Sequence, residues 1–372
     1  MKNIVNLGNV ATYINGYAFK PSDWAEDGTP IIRIQDLTGN SYQMNRFKGI
    51  VDSKYDVNSG DVLISWSASL GVYVWNRGNA VLNQHIFKVV FDKEEVDKDF
   101  FVFQIDNLLK RAANQAHGAT MRHLTKPVFD ALPFYLPDIK TQRLISSKLN
   151  LIVHLIEDHH EQLKKLDELI RSRFLEMFGM SEGIDKHLED VADICSGITK
   201  GRKVLGLELR EVPYMAVSNV KMGYIDLSTV KTIMATENEI EQYRLFPNDI
   251  LMTEGGDPDK VGRGAIIRNP PKDCIHQNHI FRVRLHKDVL LPEFFEEYLQ
   301  GNSARRYFLK AAKQTTGIAS INMKQLRALP VKIPPIKVQI QYSDFVHQVD
   351  KSKYGGTIFL RLLEDICICC NI

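Results

Sequence analysis

Cysteine is scarce in this chain, five residues among 372, and three of the five crowd together at Cys367, Cys369 and Cys370. Cys195 and Cys274 stand alone, so the spacing of a disulfide framework or of a zinc site is missing, and free thiols are expected throughout. No apolar run approaches the roughly 18 residues that span a bilayer, and Met1-Lys-Asn-Ile is not followed by a secretory core; a cytoplasmic protein is expected. Charge of one sign is lacking too. The formal net charge is +2, and basic and acidic side chains balance region by region: 14 and 14 in residues 1–137, 7 and 7 in 138–180, 22 and 20 in 181–334, 4 and 4 in 335–372. A polyanionic partner would have to be met by local patches, since no region is globally basic.

Catalytic signatures are missing as well. There is no GxxxxGK[ST] phosphate loop, and Gly262-Arg-Gly264 lacks the rest of a dinucleotide fingerprint. Ser65-Trp66-Ser67 has no Asp and His at a fixed spacing to activate a nucleophile. Asn269-Pro-Pro-Lys272 carries Lys where an adenine methyltransferase loop would carry the aromatic that stacks on a flipped base. Asp257, Asp259 and Lys260 could form a nuclease-like cluster, but nothing earlier in the chain matches them. A flexible surface loop is the simpler reading.

What the sequence does have is repetition. Leu7-Gly-Asn-Val-Ala-Thr-Tyr-Ile-Asn-Gly16 returns as Leu188-Glu-Asp-Val-Ala-Asp-Ile-Cys-Ser-Gly197, and Pro30 to Leu37 returns as Pro213 to Val220. Gly60-Asp-Val-Leu-Ile-Ser65 matches Asn248-Asp-Ile-Leu-Met-Thr253, and Gln84-His-Ile-Phe87 matches Asn278-His-Ile-Phe281. Leu136-Pro-Asp-Ile-Lys-Thr-Gln142 matches Ile333-Pro-Pro-Ile-Lys-Val-Gln339. The offset grows from 181 at Leu7 and Leu188 to 197 at Gln142 and Gln339, so the repeat is a whole domain with a connector, far longer than the unit of a solenoid. Two such copies can be related by a pseudo-two-fold axis.

Within each copy, short β-rich runs are broken by Gly, Asn, Asp and Pro. Strands are expected at Ile31–Ile34, Val62–Ile64, Val72–Trp75 and Ile86–Phe91, and again at Tyr214–Val217, Ile250–Met252, Ala265–Ile267 and Ile280–Leu285. The period then lengthens to helical over Asp99–Gln115 and Pro292–Lys313. After Pro137, apolar residues at Ile145, Leu149, Ile152, Ile156, Leu163, Leu166, Ile170 and Met177 form a heptad seam interrupted at His159 and Arg173. One helix over 139–178 follows, about 60 Å long at 1.5 Å per residue. Its partner begins at Ile336 and includes Ile340 and Val349, but Gly355-Gly356 breaks the pattern and the charge thins beyond it. The expected fold is α+β: two similar globular domains, 1–137 and 181–334, separated by two long antiparallel helices, 138–180 and 335–372, the latter with an atypical tail.

This ordered set, occurring twice with a long helix after each copy, resembles the specificity subunit of type I restriction-modification systems over residues 4 to about 353. Val349-Asp-Lys-Ser-Lys353 is similar to that family's distal helix. The resemblance implies a non-catalytic subunit whose two target-recognition domains each read half of a bipartite, asymmetric double-stranded DNA target, with the helices setting the gap. It also implies two modification (methyltransferase) subunits docked on the frame and restriction subunits in the full complex. S-adenosylmethionine, ATP and Mg would belong to those partners, with no cofactor or metal in this chain. The alternative is a coiled-coil scaffold whose end domains bind protein or small ligands.

If matched positions are frame, unmatched polar loops are readers. Phosphate contact needs Lys or Arg, while base edges favour Arg, Asn or Gln. The candidates are Lys20, Arg33, Gln35, Lys48 and Arg77 in the first copy, and Lys200, Arg202, Lys203, Asn219, Lys260, Arg263 and Arg268 in the second. Turn and capping chemistry accounts for Gln35-Asp36 and Ser218-Asn219 equally well. His85 and His279 recur before a strand and read as frame.

Overall fold

The apolar runs of each half assemble into two corresponding small sheets, and the second half adds a three-stranded sheet of Gly255–Gly256, Ile318–Ser320 and Lys313–Thr315. The computed structural model describes residues 3–115, 125–179, 183–203, 206, 208–256, 261–315 and 318–370. In the first half an antiparallel sheet has the order Thr12–Asn15, Ile86–Val90, Val62–Ser65, Gly71–Val74; in the second it is Ala192–Ser196, Ile280–Leu285, Asp249–Thr253, Gly264–Ile267. A second sheet is built on Thr29–Ile32 and on Arg210–Met215, each with a parallel neighbour, at Ile31↔Val81 and Tyr214↔Ile275. Each domain is closed by a ribbon joining its first strand to its last, Ile4–Asn6 with Pro133–Tyr135 and Ile184–His187 with Pro330–Ile333.

Val62–Ser65 and Asp249–Thr253 are buried at every position because both faces of these strands are covered. Ile64 packs toward Phe100, Phe101 and Phe134, and Leu63 toward Ile32, Trp75 and Leu82. Ile250 and Met252 likewise join Phe294 and Phe295, while Leu251 joins Met215 and Cys274. A strand covered on both sides reads as an unbroken apolar run, as these do. The turn entering it needs a left-handed residue, Gly60 with φ of 100° or Asn248 with φ of 74°. A side chain at Gly16 would place Cβ 2.1 Å from the Asn83 carbonyl oxygen, and at Gly197 1.9 Å from that of His276. These repeated residues are therefore geometry.

Three elements differ from expectation by more than one residue, and of these the strand expected at Tyr214–Val217 runs Arg210–Met215, with a helical turn following at Val217–Asn219. The strand from Thr29 ends at Ile32 because the Arg33 N–H bonds to the Asp36 carboxylate at 2.9 Å and the chain winds into a helical turn, Ile34–Leu37. The single helix expected over Pro292–Lys313 is two, Pro292–Gln300 and Asn302–Ala311, parted at Gly301, whose ψ is 161°.

The long helices run Ile139–Phe178 and Ile336–Cys370. Each leaves its domain through a buried glutamine. Gln142 accepts the Asp97 N–H at 2.9 Å and donates to the carbonyls of Pro137 at 2.8 Å and Glu95 at 3.3 Å. Gln339 accepts the Leu291 N–H at 2.9 Å and donates to Pro334 at 2.8 Å and Val289 at 3.0 Å. Two turns on, Asn150 bonds to Asp99 at 2.8 Å, and His347 lies 3.3 Å from Glu293.

The chain divides into two compact units, residues 1–160 with 358–372, and residues 161–357, so each unit holds one globular domain and a stretch of both helices. In the second unit the helices are antiparallel: Ile170 packs with Tyr342, Val346 and Val349, Lys353 lies 2.6 Å from Asp167, and a Cβ on Gly356 would meet Leu163 at 3.4 Å. Leu149 is buried, Ile145 packs on the first domain's core, and Ile152, Ile156, Leu163 and Leu166 lie on the same half-buried stripe. The two interruptions of the seam meet aromatics. The His159 ring is 4.8 Å from that of Phe359 in the first unit, and the Arg173 guanidinium 5.9 Å from Phe345 in the second.

Ile340 does not belong to the seam. It is 47% exposed, because the buried stripe falls one residue earlier, at Gln339, and continues through Tyr342, Ser343, Val346 and Val349. Nor is the pattern lost at Gly355. The helix continues to Cys370, with Leu360 and Leu363 each 7% exposed.

Nothing lies within 4 Å of a Cβ built on Gly355. Gly355→Ala should stabilise the protein by about 0.5–1 kcal/mol in urea denaturation. Gln142→Ala or Gln339→Ala should destabilise by about 2–3 kcal/mol, because each strands one buried and two partly buried backbone groups; a loss below about 0.5 kcal/mol would refute the clamp.

Candidate functional site

The candidate readers separate into those that face solvent and those that the fold has consumed. Lys20, Gln35, Lys200 and Lys203 are exposed. Lys48 is exposed and 2.9 Å from the equally exposed Asp27, a pair that salt screens readily. Arg77 is exposed with its guanidinium 5.6 Å over the Trp75 ring. Arg263 is partly buried. Lys260 lies outside the described residues, as do Asp257 and Asp259.

Three candidates are held inward, and a fourth, Arg268, is engaged by carboxylates although its side chain is 41% exposed. Asn219 is 4% exposed and its amide is fully used: it accepts the Ala216 N–H at 2.9 Å and donates to the carbonyls of Asp226 at 2.8 Å and Thr229 at 2.9 Å. Asp36 does the same work for Arg33 in the first copy, so Asn219 is a capping residue of the frame and is withdrawn as a reader. Arg202 grips Glu239 through two N–H groups and donates to the Met234 carbonyl at 3.0 Å. Those bonds from Arg202 hold the Glu239 carboxyl down at about 2. Arg33 lies 3.4 Å from Asp36 and 5.8 Å over the Trp24 ring. Arg268 is drawn to Asp350 at 3.2 Å and to Glu293 and Glu296 at 3.8 Å each, so it ties a strand end to a long helix.

Arginine is thus largely structural in the second domain. Arg284 forks onto Asp249 at 2.7 and 2.8 Å, and Arg210 bonds to Glu237 at 2.6 Å and Asp273 at 3.1 Å. The cations left at the surface are mainly lysines, which suit phosphate contact as point charges. The sequence reading missed exposed rings. Tyr42 is fully exposed, Trp24 is 48% exposed and Tyr224 is 59% exposed. Tyr42 and Tyr224 each follow, by five residues, a matched helical turn ending at Leu37 or Asn219. An aromatic inside a stretch of turn residues, as in Asn40-Ser-Tyr-Gln or Lys221-Met-Gly-Tyr, was the available signal.

The repeated histidines keep one backbone position and change partners. The carbonyl of His85 accepts from Trp66 N–H at 3.3 Å, and that of His279 from Glu254 N–H at 3.0 Å. The His85 ring then lies 4.9 Å from the Trp66 ring, whereas the His279 ring bonds to the Glu254 carboxylate at 2.6 Å. His276 is fully buried beside Cys195, and that burial lowers its pKa to about 4, which leaves it neutral. Among the described side chains Cys195 and Cys274 are unpaired thiols. Among the described residues no group of three His, Cys, Asp or Glu is placed to hold a metal ion, and no helix is long and apolar enough to cross a membrane.

Against known proteins, residues 2–168 and 182–355 each match the family model described as type I restriction modification DNA specificity domain. The chain is 22% identical over 379 residues to the type I restriction enzyme EcoBI specificity subunit of Escherichia coli, covering 93% of this chain and 78% of that one. To the EcoKI specificity subunit of Escherichia coli K12 it is 21% identical over 396 residues, covering 95% and 83%. Among solved structures, the S subunit of a type I restriction-modification system from M. genitalium superimposes with a TM-score of 0.53 at 13% identity, over 99% of this chain and 94% of that one. A chain from a study of complex assembly and conformational transition in a type I system gives 0.62 at 14% identity, over 99% and 96%. At these identities the structural likeness establishes the fold.

The Arg268 cluster has a consequence for pH. Burial raises the pKa of Glu296 to about 7, against an ordinary value of 4.5, with the Ile266 N–H and Arg268 opposing the shift. Below about 4.5 the carboxyl is neutral whether the chain is folded or not; between 4.5 and 7 only the folded state keeps the proton. Stability from this group is therefore lost as pH rises toward 7. Glu296→Gln should raise the melting temperature by a few degrees more at pH 8 than at pH 5, and an equal shift at both would contradict the assignment.

Proposed function

The chain belongs to the type I restriction modification DNA specificity family, and from that premise we propose that it is the DNA-reading subunit of a restriction-modification complex. Each domain addresses one half of a two-part target, and the long helices hold the halves at a set spacing. The chain itself is non-catalytic in this reading. Two methyltransferase subunits dock on the repeated frame, restriction subunits join for cleavage, and S-adenosylmethionine, ATP and Mg are theirs.

One observation carries the reading: two frames agree down to the glutamine clamp, the αL turn and the close-packed glycine, while the exposed side chains around them differ. A frame held constant beneath variable loops is how one scaffold presents two recognition surfaces. Half-sites on one face of B-DNA recur about every 34 Å, a distance within reach of helices of this length. Balanced net charge fits a protein that meets DNA locally, through Lys20, Gln35, Lys48 and Arg77 on one domain and Lys200 and Lys203 on the other. Tyr42 and Tyr224 join these sets as exposed rings able to lie against sugar or base.

The test is sequence-selective binding of double-stranded DNA by the complex assembled with methyltransferase subunits, at several salt concentrations, alongside mapping of methylated adenines in the host genome. Lys200→Ala with Lys203→Ala should reduce the salt slope by about one per lysine that touches phosphate. Selectivity should suffer at one half-site only; equal loss at both would contradict separate readers. Inserting seven residues after Leu149 and seven after Val346 should change the preferred gap between half-sites, and an unchanged gap would sink the spacer role.

A further inference from the structure

At the turn that leads into the strand Ile280–Leu285, the second domain carries a polar pair on its surface. His279 Nδ1 lies 2.6 Å from the Glu254 carboxylate, with the histidine side chain 58% and the glutamate side chain 35% exposed. An ionised carboxylate only accepts, so the proton sits on Nδ1 and the neutral ring keeps its lone pair on Nε2. The Glu254 backbone is itself fixed on both sides. Its N–H donates to the His279 carbonyl at 3.0 Å, and its carbonyl accepts the Ile321 N–H at 2.8 Å. The next residue, Gly255, pairs with Ser320 in the three-stranded sheet that the second half adds.

The same end of the sheet carries exposed lysines. Ser196 Oγ donates to the Asn278 carbonyl at 2.6 Å, the Ile198 N–H to the His276 carbonyl at 2.8 Å, and the Asn278 N–H to the Ile198 carbonyl at 3.0 Å. The chain that leaves this contact runs directly into Lys200–Lys203, where Arg202 is tied to Glu239 while Lys200 and Lys203 stay exposed. In the first copy Trp66 takes the place of Glu254, and the His85 ring lies 4.9 Å from the indole instead of meeting a carboxylate. The backbone bond is common to both copies and requires no particular side chain. The backbone of His279 is therefore frame, whereas its ring has surroundings peculiar to the second domain.

We propose that His279 is a specificity-determining residue of the second domain. Its Nε2 accepts a hydrogen bond from the exocyclic amino group of an adenine or a cytosine, the donors that base edges offer in the major groove. Glu254 is the positioning residue: it fixes the tautomer and the ring before DNA arrives, which spares part of the ordering cost of binding. Lys200 and Lys203 contact phosphates beside the ring and set its register on the duplex. The inference rests on the DNA-reading role proposed above.

The complex assembled with methyltransferase subunits tests it, through binding to duplexes in which each base pair of the second domain's half-site is changed in turn. His279→Ala should reduce discrimination at one base pair by about tenfold, with the other positions, the first half-site and the salt slope unchanged. Glu254→Ala should relax the same base pair, whereas Glu254→Gln, which keeps an acceptor for the Nδ1 proton, should behave as the unaltered chain does. Deleting the amino group from that base pair, with purine in place of adenine or 2-pyrimidinone in place of cytosine, should weaken the unaltered complex about tenfold and leave the His279→Ala complex unaffected. Melting temperatures establish that each variant is folded. Unchanged discrimination in the folded His279→Ala complex, or an equal loss of affinity for every duplex, would overturn the assignment and leave the DNA-reading role standing. Absence of sequence preference in the unaltered complex would overturn that role and the assignment with it.

Discussion

The fold hangs on two buried side-chain amides. Gln142 and Gln339 sit one turn into their helices with all three used bonds directed at backbone, and each joins three separate pieces of chain: the helix start, the proline that precedes it, and the entrance to the domain's own helix. Proline suits that place because it lacks an N–H to satisfy while its carbonyl remains free to accept. An amide removed from water is unfavourable unless its donors and acceptor are met, and here they are. The clamp therefore fixes both where the long helix starts and which way it points from the sheet.

From that fixed start the rest of each helix follows by phase. The buried positions of the second helix, Gln339, Tyr342, Ser343, Val346 and Val349, are the counterparts of Gln142, Ile145, Ser146, Leu149 and Ile152 in the first. The helices thus present the same face at the same distance from their clamps, although they share few residues along it. This explains how the seam accepts His159 and Arg173. Each is a flat group lying near a ring of the opposite helix, so the seam is interrupted in hydrophobicity without being interrupted in packing. It also explains Gly356, whose missing side chain faces Leu163 inside the seam. The helical penalty of the glycine pair, about 1 kcal/mol each, is offset by burial of Leu360 and Leu363 beyond it.

Most of this frame was legible because the chain carries two versions of itself. Matched residues marked the strands, the turn at Gly60 and Asn248, and the helix that runs Ile139–Phe178. What could not be read were the tertiary choices. Ile340 looked like a seam residue because it is apolar, but one residue is a rotation of about 100° on a helix, and the phase was already set by Gln339. Arginines presented the same difficulty in electrostatic form. Arg202, Arg268 and Arg33 resemble Lys200 and Lys203 in sequence, and only the positions of Glu239, Asp350 and Asp36 reveal that the first three are spent within the fold. Asn219 was open to a capping or a reading role, and its counterpart Asp36 decides it, since each accepts the backbone N–H three residues earlier.

The same phase argument constrains how such a protein can vary. A change in a loop such as Lys200–Lys203 or Asn40–Gln43 leaves the clamp and seam untouched, because those loops touch neither. A one-residue change in helix length between clamp and seam would turn the domain by about 100° and shift it by about 1.5 Å, which exchanges the buried stripe for exposed residues such as Leu144, Leu151 and Ile340. Seven residues nearly restore the phase, with a drift of about 20°, and move the domain by roughly two turns. The exposed loops can therefore change residue by residue, whereas the helices admit change only in steps that preserve the face defined by Gln142 and Gln339. The division between what the two copies share and what they do not is the structural form of that rule.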